Sequence, residues 1–237
     1  MNHRGVIVLL ASLALTALTA RLGWWQLDRA AQKNALQAAI DERRALPPLP
    51  ASALARDPSQ ARSQLHRRIV LEGQWRASST VYLENRQMGG WPGLLVVTPL
   101  QLEDGSAVAV QRGWLPRHAS ERTRIAPYET AAGRVQVGGL IALSPGRLYE
   151  FDAAASGPIR QNLDLDAYAR ETGLALRPLS LLQDDPAGAT EGLLRRWHRP
   201  TADVQKNYGY AFQWFALSAL TCGLYVWFQL IRPRRRR

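Results

Sequence analysis

Residues 208–231 read YGYAFQWFALSALTCGLYVWFQLI, twenty-four residues without one charged side chain. At about 1.5 Å of rise per residue a helix of this length extends roughly 36 Å, enough to cross a hydrocarbon core of about 30 Å. Lys206 lies just before the run and Arg232-Pro233 closes it. Tyr208, Tyr210, Trp214, Trp227 and Phe228 gather toward its two ends, where amphipathic rings settle at a lipid–water boundary. The run predicts a membrane-spanning helix.

A second apolar run opens the chain. Residues 5–20, GVIVLLASLALTALTA, carry no charge, and sixteen residues at about 1.5 Å each fall a little short of the bilayer core. Counting on to Leu27 completes the length, with Arg21 reaching back toward the headgroups and Trp24 and Trp25 at interfacial depth. The competing reading is a cleaved signal peptide with small residues such as Ala17 and Ala20 near its end. Leu18 would then occupy the −3 position, and the helical pattern runs past the site unbroken.

The formal charge is +11, and five arginines crowd into the last six residues. A basic tail directly after an apolar run is what retains a flank in the cytoplasm, so the charge speaks for topology and not for nucleic acid. The stub 1–4 and the tail 232–237 are therefore expected inside. The segment 28–207 is then outside, in the periplasm of a bacterium whose inner membrane holds spans 5–27 and 208–231. A mitochondrial transit peptide would be amphipathic and rich in Arg and Ser over its length, whereas here the apolar run begins at residue 5. The single cysteine, Cys222, excludes an internal disulfide, and His3, His66, His118 and His198 form no paired metal-ligand spacing.

Residues 28–45 lack Gly and Pro and stay helix-favouring, with Leu36 and Ile40 on one weakly amphipathic face. The prolines of Leu46-Pro47-Pro48-Leu49-Pro50 begin an extended linker, 46–66. Over 67–207 the texture becomes short β-like runs between turn residues: 69–71, 81–83, 94–100, 107–111, 135–141, 148–151 and 176–182. Asp104-Gly105 is a hairpin signal, and residues 164–171 read as a helix with Asp164 as N-cap and Gly173 beyond its end. The expected fold is two terminal transmembrane α-helices flanking a mostly antiparallel β, α+β extracytoplasmic domain.

No catalytic constellation stands out, and no enzyme is expected. GxSxG does not occur, Gly89-Gly90-Trp91-Pro92-Gly93 lacks the Lys-Ser/Thr of a phosphate loop, and Asp184-Asp185 lacks the further oxygen ligands calcium requires. The apolar spans hold more informative residues. Gln213 needs a polar partner at its depth, either the first helix or a bound client or cofactor, and Ala219 with Gly223 would let another helix approach closely.

Six short segments carry a resemblance: Gly23-Trp24-Trp25-Gln26-Leu27-Asp28-Arg29 with Lys33, Asn85-Arg86, Pro92-Gly93, Arg112-Gly113-Trp114-Leu115-Pro116, Arg160-Gln161-Asn162-Leu163-Asp164, and Tyr208-Gly209-Tyr210-Ala211-Phe212-Gln213-Trp214-Phe215. In this order, between two terminal spans, the chain resembles the Surfeit locus protein 1 family of cytochrome c oxidase assembly factors over nearly its whole length. The resemblance implies a non-enzymatic chaperone role in assembling respiratory complex IV. It would assist delivery or insertion of haem a into the catalytic subunit, with that subunit and the haem a synthesis enzyme as partners. It also implies haem held transiently at the outer edge of the second span, near Tyr208, Tyr210, Gln213 and Trp214. The family's histidine position is Asn207 here, and an amide is a poor axial ligand beside a neutral imidazole. His198, Tyr208 or Tyr210 could stand in, or the chain could contact haem without a ligand of its own. Trp24, Trp25, Gln26 and Arg29, with Arg112, Gly113 and Trp114, would form the partner-facing surface, unless Arg112 and Trp114 simply pack a strand end. A membrane-anchored ligand-binding module or a hydrolase of unknown substrate is the alternative.

Overall fold

The first helix, α1, runs unbroken from His3 to Ala45. Pro47 disfavours helical geometry at the residue before it and ends the run, while Arg43 and Arg44 favourably face the negative end of the helix dipole. The computed structural model describes residues 3–118, 120–121, 123–146, 148, 157–185, 191–197 and 199–232. Contacts divide the chain into a helical unit, Met1–Ile40 with His198–Arg237, and a sheet unit, Asp41–Trp197.

In the helical unit α1 packs against the last helix, which spans Val204–Tyr225 and continues as a π-helical turn, Val226–Ile231. Both are long and apolar enough to cross a membrane. Their seam is built from small residues. Gly23 lies directly under Phe215, where a β-carbon would come within 2.8 Å of the ring, and Trp24 meets the same ring edge-on at 5.8 Å. Ser218 Oγ donates to the Thr16 carbonyl at 3.1 Å, and Thr19, Ala30, Val204 and Ala211 are buried. The helix begins at Val204, before the apolar run proper, behind a 3-10 turn, Pro200–Asp203.

The sheet unit has seven strands: β1 Arg68–Trp75, β2 Val81–Met88, β3 Trp91–Leu102, β4 Ser106–Pro116, β5 Arg134–Ala142, β6 Ile159–Arg160 and β7 Ala175–Gln183. Their order is β1-β5-β7-β4-β3-β2-β6, and a further β1–β3 pairing closes five of them into a barrel. β3 makes this possible because its halves serve different neighbours. Residues Trp91 to Val97 pair with β2, whereas Leu100 to Leu102 pair with β1. The sheet is mixed, since β4 pairs with β7 and β2 with β6 in parallel and the remaining pairings are antiparallel.

Burial explains the texture of the strands. β1 alternates exposed and buried residues, whereas Leu94 to Leu100 and most of β4 are buried throughout. The barrel interior takes Ile69, Leu71, Leu100, Val108, Val110, Val137, Ile141, Leu179 and Leu181. The opposite face of β2, β3 and β4 is covered by Leu163 and by Tyr168 of the helix Leu165–Thr172, designated α3 below. Strands covered on both faces lose the alternating signature.

Short-range signals placed several elements correctly. Asp164 caps α3 by accepting from the Ala167 N–H at 2.9 Å, and Gly173 takes the left-handed conformation after it, φ 68°. Gly89 and Gly90, both at positive φ, form a two-residue turn between the paired residues Met88 and Trp91. The stretch read as irregular, 46–66, contains a helix, α2, Pro58–Ser63, capped by Asp57 with proline in its first turn. The strand expected at 148–151 begins at a loop residue, Leu148, whose N–H donates to Asn162 Oδ1 at 2.7 Å. Its remainder lies outside the described residues.

Two tests follow from this packing. A β-carbon at Gly93 would fall 2.2 Å from the Leu115 carbonyl oxygen and 2.3 Å from the Trp114 ring. Gly93→Ala should lower the unfolding free energy of the detergent-solubilised chain by about 2 kcal/mol, read by chemical denaturation. Glu171 accepts two hydrogen bonds of 2.7 Å from Arg160, which hold its carboxyl below the usual value of 4.5 against a smaller opposing effect of burial. That stabilisation is complete above the ordinary carboxylate range and is lost as pH falls through the lower folded value. Glu171→Gln should therefore flatten the acid limb of a stability–pH curve and lower stability at neutral pH.

Candidate functional site

Near the start of the last helix, Asn207 bridges two positions on α1. Its Nδ2 donates to Gln26 Oε1 at 2.7 Å, and its Oδ1 accepts from Lys33 Nζ at 2.8 Å. One residue on, the Tyr208 hydroxyl accepts from Asn34 Nδ2 at 3.3 Å. Around this polar layer the aromatic residues face outward: Trp24 is 59% exposed, Trp25 52%, Tyr210 53% and Phe212 74%. Arg29 is exposed, and Trp214 is half-buried. Gln213 is exposed and does not hydrogen-bond α1, because it projects from the helix face opposite the one that carries Asn207 and Ala211. His198 lies outside the described residues.

The residues at position 207 do not fit an axial haem ligand. Both ends of the amide are engaged, and the Lys33 ammonium sits 2.8 Å from the only atom that could approach a metal. A ferric or ferrous ion there would face a like charge across a neutral donor. Among the described residues no group of three or more His, Cys, Asp or Glu side chains could hold a metal ion.

In the sheet unit, Arg112, Gly113 and Trp114 are buried, which fits the strand-end packing the sequence left open and not a partner-facing surface: Arg112 has no exposed surface and Trp114 only 4%. The cause is a long-range clasp. The Arg112 guanidinium donates to Thr130 Oγ1 at 2.6 Å and to the Glu129 carbonyl at 2.9 Å, and stacks over Trp75 at 4.7 Å and Tyr128 at 5.4 Å. Burial lowers its pKa, and Glu191, 3.9 Å away, offsets part of that effect. Arg195, also buried, donates from Nε to the Arg112 carbonyl at 2.6 Å and pairs with Glu191. Gly113 permits this approach, since a β-carbon would meet Leu193 Cβ at 2.8 Å. Trp114 exchanges backbone hydrogen bonds with Leu194, and its indole N–H donates to the Arg86 carbonyl at 2.8 Å. The motif therefore fastens residues 191–195 to the edge of the barrel.

The other motif residues of this unit are also committed internally. Arg86 donates to the Gln161 carbonyl at 2.8 Å beside a left-handed Asn85, φ 59°, and Asn162 exchanges hydrogen bonds with Leu148. A cavity of about 430 Å³ opens near Leu71, Leu102 and Arg177, but each rim carboxylate is already paired, Asp104 with Arg177 and Arg56, Glu72 and Glu103 with Arg134. Arg195, Glu191, Tyr128 and Trp75 escaped sequence reading because no local spacing links them.

The order of these segments along the chain decides the relationship. The SURF1 family profile matches residues 13–219. The chain belongs to the SURF1 family. It is 27% identical over 236 residues to mouse Surfeit locus protein 1, covering 92% of this chain and 73% of that one. The human protein of the same name is 28% identical over 228 residues, covering 88% and 72%. Over a shorter stretch, 46% of this chain and 28% of the other, it is 27% identical to the Saccharomyces cerevisiae cytochrome oxidase assembly protein SHY1. The profile match runs from within the first apolar helix, through the sheet unit, into the last helix.

The Arg112 clasp makes a direct prediction. Arg112→Leu leaves Glu191 to Arg195 alone, strands the Thr130 hydroxyl and the Glu129 carbonyl, and should cost about 3 kcal/mol of stability in chemical denaturation. Arg112→Lys should recover little of it, because an ammonium cannot both fork between two acceptors and lie flat on Trp75.

Proposed function

We propose that this chain is a membrane-anchored, non-enzymatic assembly factor for cytochrome oxidase that assists its catalytic subunit while haem a is inserted. The observation that carries the reading is the family match over residues 13–219, together with a relative named as a cytochrome oxidase assembly protein. Two apolar terminal helices support anchoring in a bilayer, with both termini cytoplasmic and the sheet unit in the periplasm of a bacterium.

The aromatic rim of Trp24, Trp25, Tyr208 and Tyr210 is the partner-facing surface in this reading. Exposed aromatic residues at the depth where a span leaves the hydrocarbon can pack against a client's helices and the headgroup layer together. The sheet unit, braced by internal arginine clasps, supplies a rigid body in this reading. With the Asn207 amide engaged by Gln26 and Lys33, haem contact in this reading does not run through residue 207.

Deleting the gene and recording reduced-minus-oxidised spectra of the membranes tests the proposal. The haem a band and oxidase activity should fall together and return with a plasmid copy. Normal absorbance and activity in the deletion strain, with no second copy of the gene, reject it.

A further inference from the structure

The seam of the helical unit carries a layer of polar side chains around Asn207, beside the hydrogen bond from Ser218 to the Thr16 carbonyl. On α1 the residues turned toward the last helix are Thr16, Thr19, Gly23, Gln26, Ala30 and Lys33, alternately three and four apart. Val204, Asn207, Ala211, Phe215 and Ser218 answer them. Alternating spacing of this kind keeps one stripe of each helix on the other, as in a coiled coil. Most of the stripe is small or apolar, and in a bilayer such a surface scarcely distinguishes one register from a neighbouring one, because lipid tails are as apolar as the side chains.

Asn207 breaks that degeneracy. Gln26 and Lys33 are seven residues apart and flank Ala30, which is fully buried, so Asn207 stands over the smallest residue of the layer with a partner on either side. The match is directional. Lys33 can only donate, Gln26 presents its carbonyl, and the Asn207 amide supplies the acceptor to the first and the donor to the second. A slip of one helical turn, about 5.4 Å, would leave all three groups without these partners at the edge of a low-dielectric medium.

We infer that Asn207 sets the register of the two helices through Gln26 and Lys33, and that in this chain position 207 is a clasp and not a metal ligand. The clasp is independent of the oxidase reading and rests on both helices crossing the bilayer.

Disulfide trapping in membranes tests it on the full-length chain. Thr16→Cys with Ser218→Cys, in a Cys222→Ser background, reports the native register, because Ser218 Oγ lies 3.1 Å from the Thr16 carbonyl oxygen. Thr16→Cys with the natural Cys222 reports a slip of one turn. With Asn207 present the first pair should cross-link and the second should not. Asn207→Leu should cut the native pair's yield at least threefold and raise the slipped pair's. Asn207→His should keep the parent pattern, since a neutral imidazole offers one donor and one acceptor. An Asn207→Leu ratio equal to the parent's, or an Asn207→His variant that slips as far as Asn207→Leu, overturns the inference. If alkaline carbonate extracts the parent chain, the spanning reading fails first and the inference with it. As a second readout, titration of the purified chain with ferric haem should give the same Soret spectrum for the parent and for Asn207→Ala. A ligand-dependent band present in the parent and absent from Asn207→Ala overturns the assignment of position 207.

Discussion

A guanidinium taken wholly out of water must find acceptors and a polarisable surface within its own fold, and Arg112 organises much of the sheet unit by doing so. Its partners come from β1, from residues 128–130 and from residues 191–195, segments far apart in sequence. The barrel's closing contact, β1 against β3, leaves the end of β1 at Trp75, and the cation lies on that ring. Removing an ion from water is expensive, and the cost is offset here by two strong hydrogen bonds, two aromatic faces and a carboxylate. The result is that residues 191–195 are fastened to β4.

Both helices of the helical unit are long and apolar enough to cross a membrane. In a bilayer the hydrophobic effect does not drive helix against helix, so close approach of small residues and a few polar bonds decide the geometry. Gly23 under Phe215 provides the first and the Gln26–Asn207–Lys33 bridge the second. For an assembly factor this division is useful in physical terms. A well-registered helix pair offers a client a constant surface, and much of the aromatic rim around it stays exposed. The same motif residues that mark family membership are thus divided between clasping the barrel and aligning the helices.

Much of the architecture could be read from local chemistry. Length and absence of charge marked both apolar helices, Asp164 and Gly173 bounded α3, and Asp104-Gly105 marked the turn between β3 and β4. Other features were misread for physical reasons. The helix after Asp57-Pro58 is a single short element whose capping signal sits among linker-like residues. For Arg112 and Trp114, at the end of a strand, the sequence left a partner-facing surface and a packed strand end both open, and the return of residues 128–130 and 191–195 encloses them.

By itself the sequence determined that this protein has two bilayer-length helices, a β-rich body between them and the ordered motifs of its family. Those properties depend on hydrophobic run length, periodicity and turn residues, each of which acts within a few positions. The tertiary structure alone decided that the sheet closes through the divided β3, that Arg112 is a buried strut, and that Asn207 is occupied by Gln26 and Lys33. Each of these joins groups from 17 to 181 residues apart. A side chain's role there is set by which donors, acceptors and rings the fold brings to it, and no local pattern encodes that.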